Sequence, residues 1–389
     1  MGRRLLSTIM GCLLCIGLLG LSGCGSPSSA SVSVSQGAGT KALAGLEYTD
    51  SVPLSYAENF TIDHYKGGYT LLTTAMDDKR FLVVPEKGDV PSGLPEDIVV
   101  LRRPIQDLYL VASSVMDLFS ALDSVDTIRF SGLKEDGWYI ADAKNAMAAG
   151  KLLYAGKYSQ PDYELLLSKG CTLAIENRMI SHAPEVLEKL QQFSIPAMIE
   201  YSSYESHPLG RVEWVKFFGA LLGKEAKAQQ IFNEQVSLVE QSSKGETTDK
   251  TVAFFFITSN GLVQVRQSND YVPKMISLAG GRYAFPNLGD SNTKRSTINL
   301  QVEEFYQGVK DCDYFIYNSS IDGGIESVAS LLQKCPVLKE CKAVKEGNVW
   351  CTTNDLYQQS LSTGYLISDM HKMLTGGDEN TMRYLFHLS

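Results

Sequence analysis

From Leu108 onward, short runs rich in β-branched and aromatic residues take turns with segments of helical period. Leu108–Ala112 reads as a strand, and Met116, Phe119, Leu122 and Val125 then recur at three-residue spacing before a second strand-like run, Thr127–Ser131. Strand, helix and strand within so short a stretch make a βαβ unit, which requires a parallel sheet. The alternation continues with Tyr163–Ser168 (helix), Thr172–Ile175 (strand), Ala183–Phe193 (helix) and Pro196–Glu200 (strand). Pro208 opens a helix through Trp214 to Leu222, with Gly223 as its stop. Glu225–Ser243 follows as one long helix with Ala228, Phe232, Val236 and Val239 along one side. A second series then begins at Thr251–Ile257 and runs through Val272–Leu278, Tyr314–Tyr317, Gly324–Gln333 and Asn348–Cys351 to a closing helix over Asp355–His371. Upstream, Tyr69–Thr74 and Arg80–Pro85 flank a short turn and predict a hairpin, and Ile98–Arg102 is a further β-rich run. The pattern predicts two α/β bodies and one helical joint.

The N-terminus reads as an address rather than as structure. Arg3 and Arg4 precede the apolar run Leu5–Leu21, which has the basic and hydrophobic regions of a secretory signal. Leu21-Ser22-Gly23-Cys24 resembles the bacterial lipobox, whose cysteine is lipidated and becomes the new N-terminus. Lipid on Cys24 would hold the chain at a membrane surface without spanning it. Gly25–Gly39 is rich in Ser, Gly and Ala, the composition of a flexible tether. The expected organisation is therefore a signal over 1–23, a lipid-anchored tether over 24–52, a first lobe over 53–223, an interlobe helix over 224–245 and a second lobe over 246–389.

Composition excludes several classes. With 44 acidic against 35 basic side chains, the formal charge of −9 speaks against a nucleic-acid binder. Five histidines and eight cysteines show no zinc-site spacing, so no metal site is expected. Five cysteines (Cys171, Cys312, Cys335, Cys341 and Cys351) lie beyond the signal and the anchor, an odd number that leaves at least one unpaired. Cys335 and Cys341 are the nearest pair in sequence, Cys312 and Cys351 are equally available, and buried free thiols are the remaining alternative. Gly219–Glu225 imitates a phosphate-binding loop, but its glycines are one residue too close and Glu225 replaces the hydroxyl. No G-x-S-x-G elbow occurs, and no nucleophile, base and orienting group stand out, so no catalytic residues are assigned.

This layout resembles the solute-binding lipoproteins of ABC importers for iron-siderophores, haem and cobalamin. The resemblance runs over roughly residues 65–370 and is carried by the order of five pieces: Leu108–Asp123, Gly156–Ala174, Ser206–Glu225, Tyr271–Tyr283 and Glu303–Tyr317. The Asp usual in the family before the fourth strand is replaced by Gly170-Cys171. The resemblance implies an α/β fold of two Rossmann-like lobes with parallel central sheets joined by a single long α-helix, and a ligand cleft between the lobes. It implies no enzyme activity and no intrinsic cofactor, a monomer bound to the membrane by its lipid, and a ligand that is a ferric siderophore or haem, with cobalamin as the alternative. An exported chelate-processing enzyme on the same scaffold is the rival class. The implied partner is a permease dimer with its cytoplasmic ATPase, docked through one glutamate on each lobe. By position these are Glu164 and Glu303, with Glu304 as rival for the second.

Ligands of open α/β sheets bind beyond the carboxyl ends of the strands. That rule nominates Ser113, Ser114, Lys157, Tyr158, Arg178, Tyr201 and Tyr204 in the first lobe. In the second it nominates Asn260, Arg295, Asn318 and Tyr357. The tyrosines offer flat apolar area with a polar end, and the arginines can meet a carboxylate or hydroxamate bidentately. Such a set suits a bulky anionic chelate better than a bare cation. His207 and Glu205 are nearby, but His207 precedes Pro208 at a helix start and is expected to cap or pack.

Overall fold

The computed structural model describes residues 42–245, 247–289 and 296–389. The signal and Cys24 lie outside the described residues, as does Arg295. Residues 42–389 form one compact unit.

Among the described residues, the first sheet is a meander of β1 (Tyr48–Ser51), β2 (Phe60–Tyr65), β3 (Tyr69–Thr74), β4 (Lys79–Val84) and β5 (Ile98–Arg102). Its pairings are antiparallel except for the last, β4 to β5. The expected tether therefore ends too late, because β1 belongs to this sheet and Val52 N–H donates to Ile62 O at 2.9 Å. Alternate residues of the meander serve two cores: Ile62, Leu72 and Phe81 face one way, and Tyr65, Leu71 and Leu82 the other.

The first-lobe βαβ series follows: β6 (Leu108–Leu110), α1 (Val115–Ala121), β7 (Ile128–Ser131), α2 (Ala141–Ala148), β8 (Leu153–Tyr154), a small hairpin of β9 (Gly156–Lys157) and β10 (Gln160–Pro161), α3 (Tyr163–Ser168), β11 (Leu173–Asn177), α4 (Pro184–Gln192) and β12 (Ala197–Glu200). The sheet order is β12-β11-β6-β7-β8, parallel throughout.

Two long helices come next. α5 (Pro208–Leu222) starts with proline in its first turn and is capped by His207, whose Nδ1 accepts from Leu209 N–H at 3.1 Å. It ends at Gly223 in the left-handed region (φ 73°), where an L side chain would be strained. Its residues from Pro208 through Leu221 are all buried, as expected of a helix apolar on every face. α6 (Glu225–Ser243) packs against it, so closely that a Cβ on Gly219 would lie 2.4 Å from that of Ala228.

The second lobe comprises β13 (Thr251–Ile257), β14 (Val263–Arg266), α7 (Tyr271–Leu278), β15 (Arg282–Tyr283), β16 (Thr297–Leu300), α8 (Val302–Val309), β17 (Tyr314–Tyr317), α9 (Val328–Lys334), α10 (Lys342–Lys345), β18 (Val349–Thr352), α11 (Thr363–Thr375) and β19 (Leu385–His387). Its sheet runs β16-β14-β13-β17-β18-β19, with β15 also on β13. The β13, β15, β17 and β18 pairings are parallel, whereas β14 pairs antiparallel with both β13 and β16, and β19 pairs antiparallel with β18. The closing helix starts at Thr363 rather than Asp355. Residues 354–358 form turns instead, with Tyr357 held by Arg266 and Asn318 and Gln358 by Gly137 and Tyr139, all distant in sequence. All five described cysteines are free thiols, and all but Cys171 are buried. Burial pushes Cys171 up to about 12 and Cys341 up to about 11, which keeps both as unreactive thiols.

Candidate ligand-binding cleft

The carboxyl ends of the two parallel strand sets face a shared cleft of about 860 Å³. From the first lobe come Ser113 and Ser114 after β6, Asn177, Arg178, Met179, Ser181 and His182 after β11, Ser203 and Tyr204 after β12, and Arg211 from the first turns of α5. Gln264 and Arg266 of β14, Tyr271 at the start of α7, Thr297, Ile321 and Tyr357 form the opposite wall. A second hollow of about 810 Å³ lies on the second lobe, reaching Thr251 at the amino end of β13 and bordered by exposed residues of α7 and α8. It is at the wrong end of the strands for an α/β ligand site.

The cleft carries cationic charge inside an acidic protein. Arg178 lies over the ring of Tyr204 with its guanidinium carbon 4.8 Å from the centroid. Arg211 crosses from the first lobe to lie 4.0 Å over Tyr271 of the second. Arg266 sits between Tyr271 and Tyr357, at 5.5 and 5.8 Å from their centroids. Burial alone would lower the basicity of the Arg266 guanidinium, but Tyr357, Tyr271 and Asp270 around it hold its pKa above the ordinary value. Asp270 lies 3.6 Å away as its counter-ion, with its own pKa raised by burial against the pull of Arg266. Arg211 differs. It is 8% exposed, and its guanidinium has no hydrogen-bond or ion-pair partner among the described residues. Its charge is felt by two buried acids, Asp270 and Glu200, the pKa of Glu200 being raised by burial against hydrogen bonds from Ser202. A nearly buried guanidinium that keeps its donors free toward a cleft is preset to bind an anion.

Tyr357 has its oxygen committed. It accepts from Arg266 Nη2 at 2.5 Å and from Asn318 Nδ2 at 2.7 Å, which leaves its own proton for the cleft. Burial raises its pKa, partly offset by Arg266. The mouth is less polar: Met179 and Ile321, on opposite lobes, are both about half exposed.

Of the residues nominated from the sequence, Ser113, Ser114, Arg178, Tyr204 and Tyr357 line the cleft, and Asn318 stands behind Tyr357. The others lie elsewhere. Tyr201 is buried in the first-lobe core, with its phenol pKa raised by burial and by Asp77. Lys157 is an exposed residue of the β9–β10 hairpin, and Tyr158 packs on the core under α3 and α4. Asn260 is used in its own turn, where its side chain accepts from Thr258 Oγ1 at 2.5 Å. Lys157 and Tyr158 follow β8, the edge strand of its sheet, and Asn260 lies in the turn between β13 and its antiparallel neighbour β14, so the rule placed all three too far out. Arg211, Arg266 and Tyr271 were missed. Arg266 ends a strand too short to stand out, and Arg211 hides in an apolar helix whose few charges were themselves the available signal.

The neighbouring acids are structural. Glu205 accepts from the backbone N–H of Glu58 and Asn59 and from Trp214 Nε1, and Glu213 accepts from those of Ser55, Tyr56 and Ala57. Among the described residues, no three His, Cys, Asp or Glu side chains gather as a metal site. Glu164, in the first turn of α3, and Glu303 and Glu304, in the first turn of α8, are exposed.

No family model matches the chain. It is 24% identical over 350 residues to an uncharacterized lipoprotein of Methanocaldococcus jannaschii, covering 82% of this chain and 81% of that one. A second uncharacterized lipoprotein of that organism is 25% identical over 346 residues, covering 85% of each chain. Among solved structures, the periplasmic heme binding protein HutB of Vibrio cholerae superposes with a TM-score of 0.55 at 17% identity, over 67% of this chain and 97% of its own. A periplasmic heme binding protein from Pseudomonas aeruginosa gives 0.54 at 16%, over 73% and 98%. The TroA-like periplasmic binding protein FepB from Veillonella parvula gives 0.54 at 14%, over 74% and 96%. The chain therefore has the two-lobed α/β fold of the TroA-like periplasmic binding proteins.

Proposed function

We propose that this protein is the membrane-tethered, extracytoplasmic substrate-binding component of an ABC importer, and that it captures an anionic iron chelate in the interlobe cleft. The observation that carries this reading is Arg211, nearly buried, unpaired and flanked by two further arginines in a cleft shared by both lobes. Its volume lies near the upper end of the ~300–1,000 Å³ typical of small-molecule pockets, so a bare ion would leave it mostly water. Ferric siderophores and haem bring carboxylate, catecholate or hydroxamate oxygens together with broad apolar area, which the arginines and the Tyr204, Tyr271 and Met179 surfaces suit. The fold and the kind of relatives found support an importer over an enzyme, and the lipobox at Cys24 supports lipid attachment. Delivery to a permease dimer with its ATPase would use Glu164 on one lobe and Glu303 or Glu304 on the other. Two separated carboxylates fix the register of a basic partner.

The test is calorimetric titration of the purified protein against ferric siderophores, haem and cobalamin. Binding of at least one anionic chelate tighter than ~10 µM, about −7 kcal/mol, is expected. Arg211→Ala should weaken it by roughly 10- to 100-fold, the loss of one charge-assisted hydrogen-bonded contact. If none of the three classes binds at that level, the reading fails.

A further inference from the structure

The segment between β18 and α11 belongs to the second lobe but holds the first. Tyr357 and Gln358 are consecutive in a turn closed by Gln358 N–H donating to Asp355 O at 2.8 Å. Tyr357 faces the cleft, pinned by Arg266 and Asn318 of its own lobe. Gln358 turns the other way. Its Oε1 accepts from Tyr139 N–H at 2.9 Å, and its Nε2 donates to Gly137 O at 2.7 Å. Ser360 Oγ then donates to Ser114 O at 2.8 Å, and Leu361 N–H donates to the Asp117 carboxylate at 2.7 Å. The apolar side chains divide in the same way, Leu356 packing on a second-lobe core and Leu361 on the first-lobe core.

We propose that residues 353–362 form a coupling strap, a non-covalent joint between the lobes additional to α6, which transmits occupancy of the cleft at Tyr357 to the first lobe through Gln358. The inference rests on the cleft being the ligand site. Its physical basis is that two adjacent residues of one hydrogen-bonded turn are fixed to different lobes, so neither set of bonds can shift without straining the other. A ligand that engages the Tyr357 proton, or draws Arg266 away from its oxygen, biases the turn and with it the contacts to Gly137 and Tyr139. Ser114 closes the loop, since it lines the cleft from the first lobe and accepts a strap hydrogen bond on its carbonyl. This gives two distinct sites and an element that both can bias, which is what an energetic coupling requires.

Amide hydrogen exchange on the unliganded full chain tests it. In Gln358→Ala, the amides of Tyr139 and Leu361 should both exchange about tenfold faster or more, although Leu361 keeps its own Asp117 acceptor, while the core amide of Phe315 is unchanged. In Tyr357→Phe, which deletes only the hydroxyl, the same two amides should accelerate by at least about threefold. Acceleration of Tyr139 alone in the first variant, with neither amide responding in the second, overturns the proposal. Should Gln358→Ala also loosen Phe315, the Tyr357→Phe result decides by itself. No ligand enters the measurement, so a negative titration leaves this result standing and a failed strap leaves the binding reading standing.

Discussion

At the residue scale, the buried acids of this protein differ by the partners they have. Glu205 and Glu213 are surrounded by N–H donors that stabilise the carboxylate. Glu176, on β11 just before the cleft residue Asn177, is fully buried, and neither of its oxygens has a hydrogen-bond partner among the described residues. Desolvation alone pushes it up to about 8, so it is protonated at neutral pH. The unfolded chain releases that proton near ~4.3, whereas the folded chain keeps it. Stability from this group is therefore full below that pH, falls as pH rises toward 8, and is level above 8. The difference between the protein and Glu176→Gln in urea unfolding should change with pH by up to ~1.4 kcal/mol per pH unit across that window. A pH-independent difference would show that the carboxyl is charged in the fold.

At the element scale, α5 organises the molecule. Its faces meet the meander, α1, α6 and the second lobe, which is why it is apolar all round and why its charged side chains have specific tasks. Its contact with α6 depends on Gly219. Placing a methyl 2.4 Å from the Ala228 Cβ forces the two helices apart, so Gly219→Ala should cost ~1–3 kcal/mol as overpacking does, despite the better helix propensity of alanine. Ala228→Gly in the same chain should recover part of that loss in thermal unfolding. The strands show why periodicity has limits. The long helices, and strands such as Thr251–Ile257 and Tyr314–Tyr317, were legible from apolar runs and their boundaries. β14 and β16 were not, since four residues of mixed polarity become a strand only by pairing with each other and with β13.

At the scale of the whole molecule, charge is separated. The chain carries −9 overall, yet the cleft presents Arg178, Arg211 and Arg266, while Glu164, Glu303 and Glu304 stand exposed on helices of different lobes. Binding and docking are therefore expected to be separable. Glu164→Ala combined with Glu303→Ala should reduce uptake of the chelate by cells to background and leave the titration isotherm of the purified protein unchanged. Loss of binding in that double variant would assign the two glutamates to the ligand instead.

The sequence by itself determined the class of fold, two α/β bodies flanking a long helix, because hydrophobic periodicity and glycine or proline stops act over a few residues and survive without tertiary context. It also indicated which end of the strands to examine, and five of the nominated residues line the cleft there. Only the tertiary structure decided the rest of the site. Arg211 and Arg266 reach the cleft from a buried helix and an antiparallel strand, and nothing local distinguishes a free guanidinium from a paired one. The same holds for residues 354–358. A helical pattern predicts a helix there, but Gln358 and its neighbours leave that conformation because hydrogen bonds to Gly137 and Tyr139, more than two hundred residues away, hold them out of it.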